Sequence, residues 1–311
     1  MARLFLGNQT VIPLFPEREP DETYNLLTSE ASGKESNSKA SSIVATLAGD
    51  TMDETVLDLW VKAGSDGTSL GGDPLSQQLF MILLLKGADP KCRFNVRTLN
   101  EARPPPEFRS VSFLLTFVAG LRRAPALQHG EDVAYSHPDE IVEYIDHVFP
   151  APSLNGDDIE AESATADLFR AFCFFIKDVK KDPKALLSEL YRLDQYLTAS
   201  NHRFLIADEL RHIDCRVLPK LHSIRIVTKA LKNVEVPVDL HALWRYLDAA
   251  YNNDVFRKSC PSDQEIILYW AERSDSTTFP PSKRSQLSRQ KPIHTLVVPE
   301  GALEDSNNTD E

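Results

Sequence analysis

The chain has 311 residues and a net charge of −12, with 42% hydrophobic and 26% charged residues, a composition that suits two modest cores better than one small one. The acidic balance removes the basic face that nucleic-acid binding needs, and it disfavours stable electrostatic docking on anionic lipid. The four cysteines, Cys92, Cys173, Cys215 and Cys260, form no CxxC pair, a pattern of free thiols in a reducing cytosol and not of a disulfide framework.

In chain order, residues 1–54 are expected to form a disordered tail. The start MARLFLGNQTVIPLFP lacks the basic region and long apolar core of a signal peptide. SEASGKESNSKASS (29–42) is too polar and Ser-rich to offset the entropy of ordering it.

From 55 to 149, strand-like and helical pieces alternate. VLDLWVKA (56–63) reads as a strand, DPLSQQLFMILLLK (73–86) as a helix and RFNVRTL (93–99) as a strand. Asp73 and Pro74 are favoured residue types for an N-cap and a first helical position. PALQH (125–129) and DVAY (132–135) read as two strands joined tightly through Gly130-Glu131. HPDEIVEYIDHVF (137–149) closes the block as a helix with Ile141, Ile145 and Val148 on one face. The order predicts a small α/β layer with a mixed sheet. SVSFLLTFVA (110–119) interrupts it, either as an extension of a second helix or as a gene-model artefact.

PAPS (150–153) is the expected linker, and residues 154–273 are helical throughout. ALLSELYRLDQYL (185–197) places Leu186, Leu190, Leu193 and Leu197 on one face, and VDLHALWRYLDAAY (238–251) does the same with Leu240, Leu243, Trp244, Leu247 and Tyr251. An α/β domain followed by a helical one is the order found in glutathione transferases. From 274, SDSTTFPPSKRSQLSRQKP reads as a second disordered tail, 274–311. The eight histidines show no HxxxH spacing, so no metal site is expected.

The apolar run Leu79, Phe80, Ile82, Leu83, Leu84, Leu85 raises the question of a membrane segment. A helix over 74–86 spans about 20 Å, short of the roughly 30 Å hydrocarbon core. Lengthening it takes in Asp89, Pro90, Lys91 and Arg93. Each central charge costs about 2.5–3.5 kcal/mol, against about 0.3–0.6 returned per apolar residue. The expected ground state is a helix buried between sheet and helical domain. Insertion then needs refolding, oligomerisation or low pH.

Three stretches, LWVKAGSDGTSLGGDPLSQQLFMILLLKG (59–87), DCRVLPKLHSIRIV (214–227) and LWRYLDAAYNNDVFRKSCPSDQEI (243–266), together resemble the chloride intracellular channel family. PPPEFR (104–109) resembles its invertebrate branch, and the likeness runs from about 59 to 271. The resemblance implies a glutathione-transferase-like fold: a thioredoxin-like domain with a mixed four-stranded sheet, then an all-helical domain. It implies a cytoplasmic protein that associates conditionally with plasma or intracellular membranes. It implies chloride transport, with membrane lipids, chloride ion and cytoskeletal or scaffold proteins as partners. The alternatives are a non-transporting scaffold or regulator at membranes and cytoskeleton, and, third, a glutathione-dependent oxidoreductase.

The redox centre of that family lies at the start of the first helix, in a motif like C-P-F-S/C. The matching residues here are Asp73-Pro74-Leu75-Ser76. A carboxylate shares the helix field but cannot exchange thiols. No catalytic residue and no enzyme activity are therefore expected, and Asp73 reads first as an N-cap. The resemblance also implies a cis bond between Ala124 and Pro125, and places Ser136-His137 where an acidic–hydroxyl pair would hold glutathione. Asp73, Pro74, Ala124, Pro125, Ser136 and His137 thus outline a vestigial glutathione site, with no cofactor required. Asp214 matches a structural capping-box carboxylate whose partner position holds Arg211 in place of Ser or Thr. Cys173 and Cys215 read as core residues and Cys260 as the more exposed thiol.

Overall fold

In the computed structural model, the described residues are 56–108, 123–130, 133–273 and 280–303, together with the backbone of 3–5 and 11–13. Segment 110–119 lies outside them. The sheet contains β1 (Arg3–Phe5), β2 (Val11–Pro13), β3 (Leu57–Lys62), β4 (Phe94–Leu99), β5 (Ala126–His129) and β6 (Val133–Tyr135), in the order β2-β1-β4-β3-β5-β6. β3 runs parallel to β4 and antiparallel to β5, and β6 closes an antiparallel hairpin on β5. These four strands are the expected mixed sheet. β1 adds to it parallel to β4, with β2 antiparallel to β1. That corrects the reading of 1–54 as wholly disordered, because three-residue strands are too short to show an alternation in sequence.

Alternation along β3 sets the two faces of the sheet. Leu57, Leu59 and Val61 join Phe94 and Val96 in the main core, while Trp60 turns to the other side with Leu99, Phe108 and Ala126. Trp60 and Phe108 meet edge to face at 5.2 Å, a favoured aromatic geometry.

Helix α1 (Pro74–Lys86) crosses the inner face of the sheet, and α2 (Pro138–Val148) lies beside it with Ile141 and Ile145 buried. The helical domain follows as α3 (Ile159–Thr165), α4 (Leu168–Ile176), α5 (Lys184–Ala199), α6 (His212–Val227), α7 (His241–Tyr251), α8 (Asp254–Ser259), α9 (Asp263–Arg273) and α10 (Pro281–Arg289). The leucines of α5 and the apolar face of α7 are buried as their spacing requires. α6 is the central helix, buried on most of its surface although it carries several polar residues, and passes into a wide π-turn at Thr228–Lys232 that stops at Asn233 with φ 54°.

α1 packs on β3, α2, α6 and α8, so one continuous core runs through both domains. Its last residue, Lys86, is 1% exposed, and its ammonium donates to the carbonyls of Phe149 (2.8 Å) and Pro152 (3.0 Å). It also pairs with Asp146 at 2.8 Å, and the other oxygen of Asp146 meets His212 Nε2 at 2.7 Å. Burial pushes the His212 imidazole below its ordinary range, with Asp146 opposing the shift.

The chain beyond 274 is not a free tail throughout. α10 is exposed, but residues 291–302 lie as a strap along α6, α7 and α9. Asp263 donates its backbone N–H to Ile293 O, and its carboxylate accepts the backbone N–H and hydroxyl of Thr295. Gln264 exchanges two bonds with the backbone of Lys291 and Ile293. The Arg225 guanidinium donates to the carbonyls of Thr295 (3.2 Å) and Val297 (2.6 Å). Ala302 is wholly buried. Side chains of the helices hold the strap's backbone, and polar composition cannot reveal such holding.

Candidate functional site

The loop from β3 to α1 is closed by Gly64 N–H on Ser69 O and Gly71 N–H on Lys62 O, both at 2.8 Å. A Cβ on Gly72 would stand 2.5 Å from the backbone of Glu265 and Ile266 in α9, so glycine permits this close approach of the two domains. Glu265 accepts the backbone N–H and the hydroxyl of Ser65, each at 2.6 Å.

Asp73, 6% exposed, is the N-cap of α1. Its Oδ2 accepts the Ser76 backbone N–H at 3.0 Å and the Ser76 hydroxyl at 2.7 Å; its Oδ1 accepts the Tyr269 hydroxyl at 2.7 Å. Pro74 fills the first helical position. Burial, and then the neighbouring Asp73 carboxylate, push the Tyr269 phenol well above its usual range. The proton therefore stays on the Tyr269 hydroxyl, which donates to Asp73. The Arg273 guanidinium lies 3.5 Å from the centroid of the Tyr269 ring, within cation–π range.

Beside this pair a cleft of about 350 Å³ opens between the domains, lined by Lys62, Gly72, Glu101, Tyr269, Glu272 and Arg284 among others. Glu101 Oε2 holds the Lys62 ammonium at 2.5 Å, and its Oε1 accepts the Ala124 backbone N–H at 3.1 Å. The Ala124–Pro125 bond is cis. Arg284 pairs with Glu272 across the far wall.

Asp73 and Ala124 do not line the cleft, but each is bonded to a residue that does, Asp73 to Tyr269 and Ala124 to Glu101. Ser136 and His137 do not line it; both are exposed, and His137 takes the N-cap position of α2 without a side-chain cap bond. Lys62, Glu101, Glu265 and Tyr269 were not identified from sequence. They come from three separate segments, with Glu265 and Tyr269 one turn apart on α9, and no short motif links those segments. The apolar run of α1 is buried: Leu79, Phe80, Ile82, Leu83 and Leu84 are at most 5% exposed, and Leu85 is partly buried.

Asp214 is fully buried at the start of α6, accepting the backbone N–H groups of Arg211 (2.9 Å) and Leu205 (3.0 Å) and the Tyr246 hydroxyl (3.0 Å). Burial raises its carboxyl despite those bonds. A guanidinium has no acceptor, so Arg211 cannot complete the reciprocal cap and donates instead to Ser153 O at 2.7 Å. Cys260 is 3% exposed, which corrects its reading as the exposed thiol; Cys173 is the half-buried one. Burial pushes the Cys92 thiol up to about 12 and raises Cys215 and Cys260 as well.

Comparison with known proteins places this architecture. Residues 55–148 match the family model of the CLIC-like N-terminal domain. The chain is 41% identical over 244 residues to the chloride intracellular channel exl-1 of Caenorhabditis elegans, covering 77% of this chain and 98% of that protein. It superimposes on the crystal structure of the CLIC homologue EXC-4 from C. elegans with a TM-score of 0.68 at 27% identity, over 80% of this chain and 96% of that one. Dehydroascorbate reductase of Chlamydomonas reinhardtii shares the fold, with a TM-score of 0.59 at 21% identity over 70% of this chain and 98% of the other. Among the described residues no helix is long and apolar enough to cross a membrane. With its thioredoxin-like sheet, helical second domain and 41% identity to exl-1 over nearly the whole of that relative, the chain belongs to the chloride intracellular channel family.

Proposed function

We propose that this protein acts as a chloride intracellular channel-like protein, associating conditionally with membranes from a compact cytoplasmic form and taking part in chloride transport only after refolding. The observation that supports this reading is α1, which has an apolar run buried on every side and no polar face to present to water. Membrane lipid and chloride are the partners of the refolded form, with cytoskeletal or scaffold proteins available to the compact one. Thiol chemistry at the start of α1 is no part of the function. Asp73 is not a nucleophile toward disulfides, and Glu101 already occupies the Ala124 N–H.

The test is chloride efflux from loaded liposomes, with lipid co-sedimentation measured in parallel at pH 7 and pH 5. Efflux that scales with protein and with sequestration supports transport. Sequestration without efflux replaces transport by a regulatory or scaffolding role at the membrane. Neither response at either pH overturns the proposal.

A further inference from the structure

On the helical domain, away from the Asp73 cleft, a second cleft of about 250 Å³ is lined by residues of α3, α4 and α6, including Thr165, Leu168, Phe169, Arg216, Val217 and Lys220. It shares no lining residue with the first. Arg216 and Lys220 stand one turn apart on α6, so they face the same side.

Their charges are met differently. Arg216 pairs with Glu162 at 2.5 Å. Lys220 is half-buried, and among the described residues its ammonium has no carboxylate within ion-pair distance. It stands 5.2 Å over the ring of Phe169. Burial and then Arg216 depress the Lys220 ammonium, while Asp139 of α2 and the Cys173 thiol of α4 act in the opposite sense. The cleft therefore carries a surplus of one positive charge, in a chain whose net charge is −12. A partly desolvated cation with no carboxylate in direct contact is costly, and a bound anion relieves that cost. Leu168, Phe169 and Val217 supply an apolar wall beside it.

We propose that this cleft is a binding site for a small amphipathic organic monoanion, an aryl or short-chain carboxylate or sulfonate, with its acid group on Lys220 and its apolar body against Phe169, Leu168 and Val217. One positive charge selects a monoanion over a phosphate dianion. The volume of about 250 Å³ suits a bicyclic ring.

The probe is naphthalene-2-sulfonate, titrated by calorimetry into the full chain, with naphthalene-2-sulfonamide as the neutral counterpart. The sulfonate is expected to bind at least tenfold more tightly than the sulfonamide. Lys220→Met should weaken the sulfonate at least tenfold, Lys220→Arg should stay within threefold, and Lys184→Met, at an exposed position at the start of α5, should change nothing. Should Lys220→Met melt early, Arg216→Gln is the second variant. Glu162, released from its arginine, then competes for Lys220, and sulfonate affinity falls at least threefold. Equal binding of sulfonate and sulfonamide, or unchanged affinity in a folded Lys220→Met, overturns the site.

Discussion

Glu101 accepts the backbone N–H of Ala124, the residue before cis-Pro125, at 3.1 Å, while its other oxygen holds Lys62 at 2.5 Å. The protein thereby fills, with its own carboxylate, a backbone donor that would otherwise face the cleft. Three changes separate this site from a thiol-exchange centre: the missing sulfur at position 73, Ser136-His137 in place of an acidic–hydroxyl pair, and the occupied donor at 124. Asp73→Cys alone should give little glutathione-dependent disulfide reduction. Asp73→Cys with Glu101→Ala should give at least tenfold more, because the thiol gains the helix N-terminus and the Ala124 N–H becomes available. The assay is reduction of a small mixed disulfide by glutathione. Equal rates in the single and double variants would remove Glu101 from the account.

Asp73 and Tyr269 tie the first turn of α1 to α9. Asp73→Ala removes an N-cap, commonly worth about 1 kcal/mol, and strands a buried phenol hydroxyl at a further cost of about 1–3 kcal/mol. Tyr269→Phe should be milder, since Asp73 keeps both bonds to Ser76. A double-mutant cycle by urea denaturation should return a coupling of about 1 kcal/mol or more between the two residues. A coupling near zero would show that the Tyr269 bond carries no stability.

His222 is completely buried between Tyr251 and Phe256, with Nδ1 3.0 Å from the Tyr251 hydroxyl. Burial, then Arg225 and His294, depress its imidazole to about 3 from an ordinary 6.5. The unfolded chain takes up this proton near pH 6.5 and the folded chain does not. The contribution of His222 to stability is therefore full above pH 6.5 and is lost as pH falls toward 3, at about 1.4 kcal/mol per pH unit. His212, also depressed by burial, adds in the same direction. Stability of His222→Gln measured from pH 7.5 to 4.5 should fall less steeply than that of the unmodified chain. Parallel slopes would mean that the His222 pKa is not depressed in the folded protein.

Arg225 holds the strap through two carbonyls while stacking over Trp244 and Tyr251 at 5.0 and 5.3 Å. Arg225→Ala should cost about 2–3 kcal/mol, given hydrogen bonds from a charged donor, and should speed proteolytic cleavage within residues 291–302 while leaving α5 protected. Thr295→Ala should do the same to a lesser degree. Cleavage at the unmodified rate in Arg225→Ala would show that Asp263, Gln264 and the buried Ala302 retain the strap without Arg225.

Much of the fold was legible because it rests on periodicity. Alternation in β3 and β4, the leucine spacing in α5 and the Asp-Pro start of α1 are local signals, and the structure follows them to within a residue or two. The strap was not legible, because its bonds are made by its own backbone to Arg225, Asp263 and Gln264, residues remote from it in sequence. The site was half legible for the same reason. Asp73 and Pro125 sit in recognisable local contexts, whereas Glu101 and Tyr269 reach the cleft by topology. Cys260 stands at the start of the last core helix, a place that suggests exposure, while the packing of α8, α9 and Gln77 encloses it.

The burial of α1 on every side bears on how the molecule can open. A helix with one wet face can lift gradually on a hinge; this one leaves a slot between β3, α2, α6 and α8. Release bares the helix and its slot in one step and deprives Lys86 and Asp146 of each other. Opening at α1 is therefore all-or-none, since the helix and its slot lose their cover together.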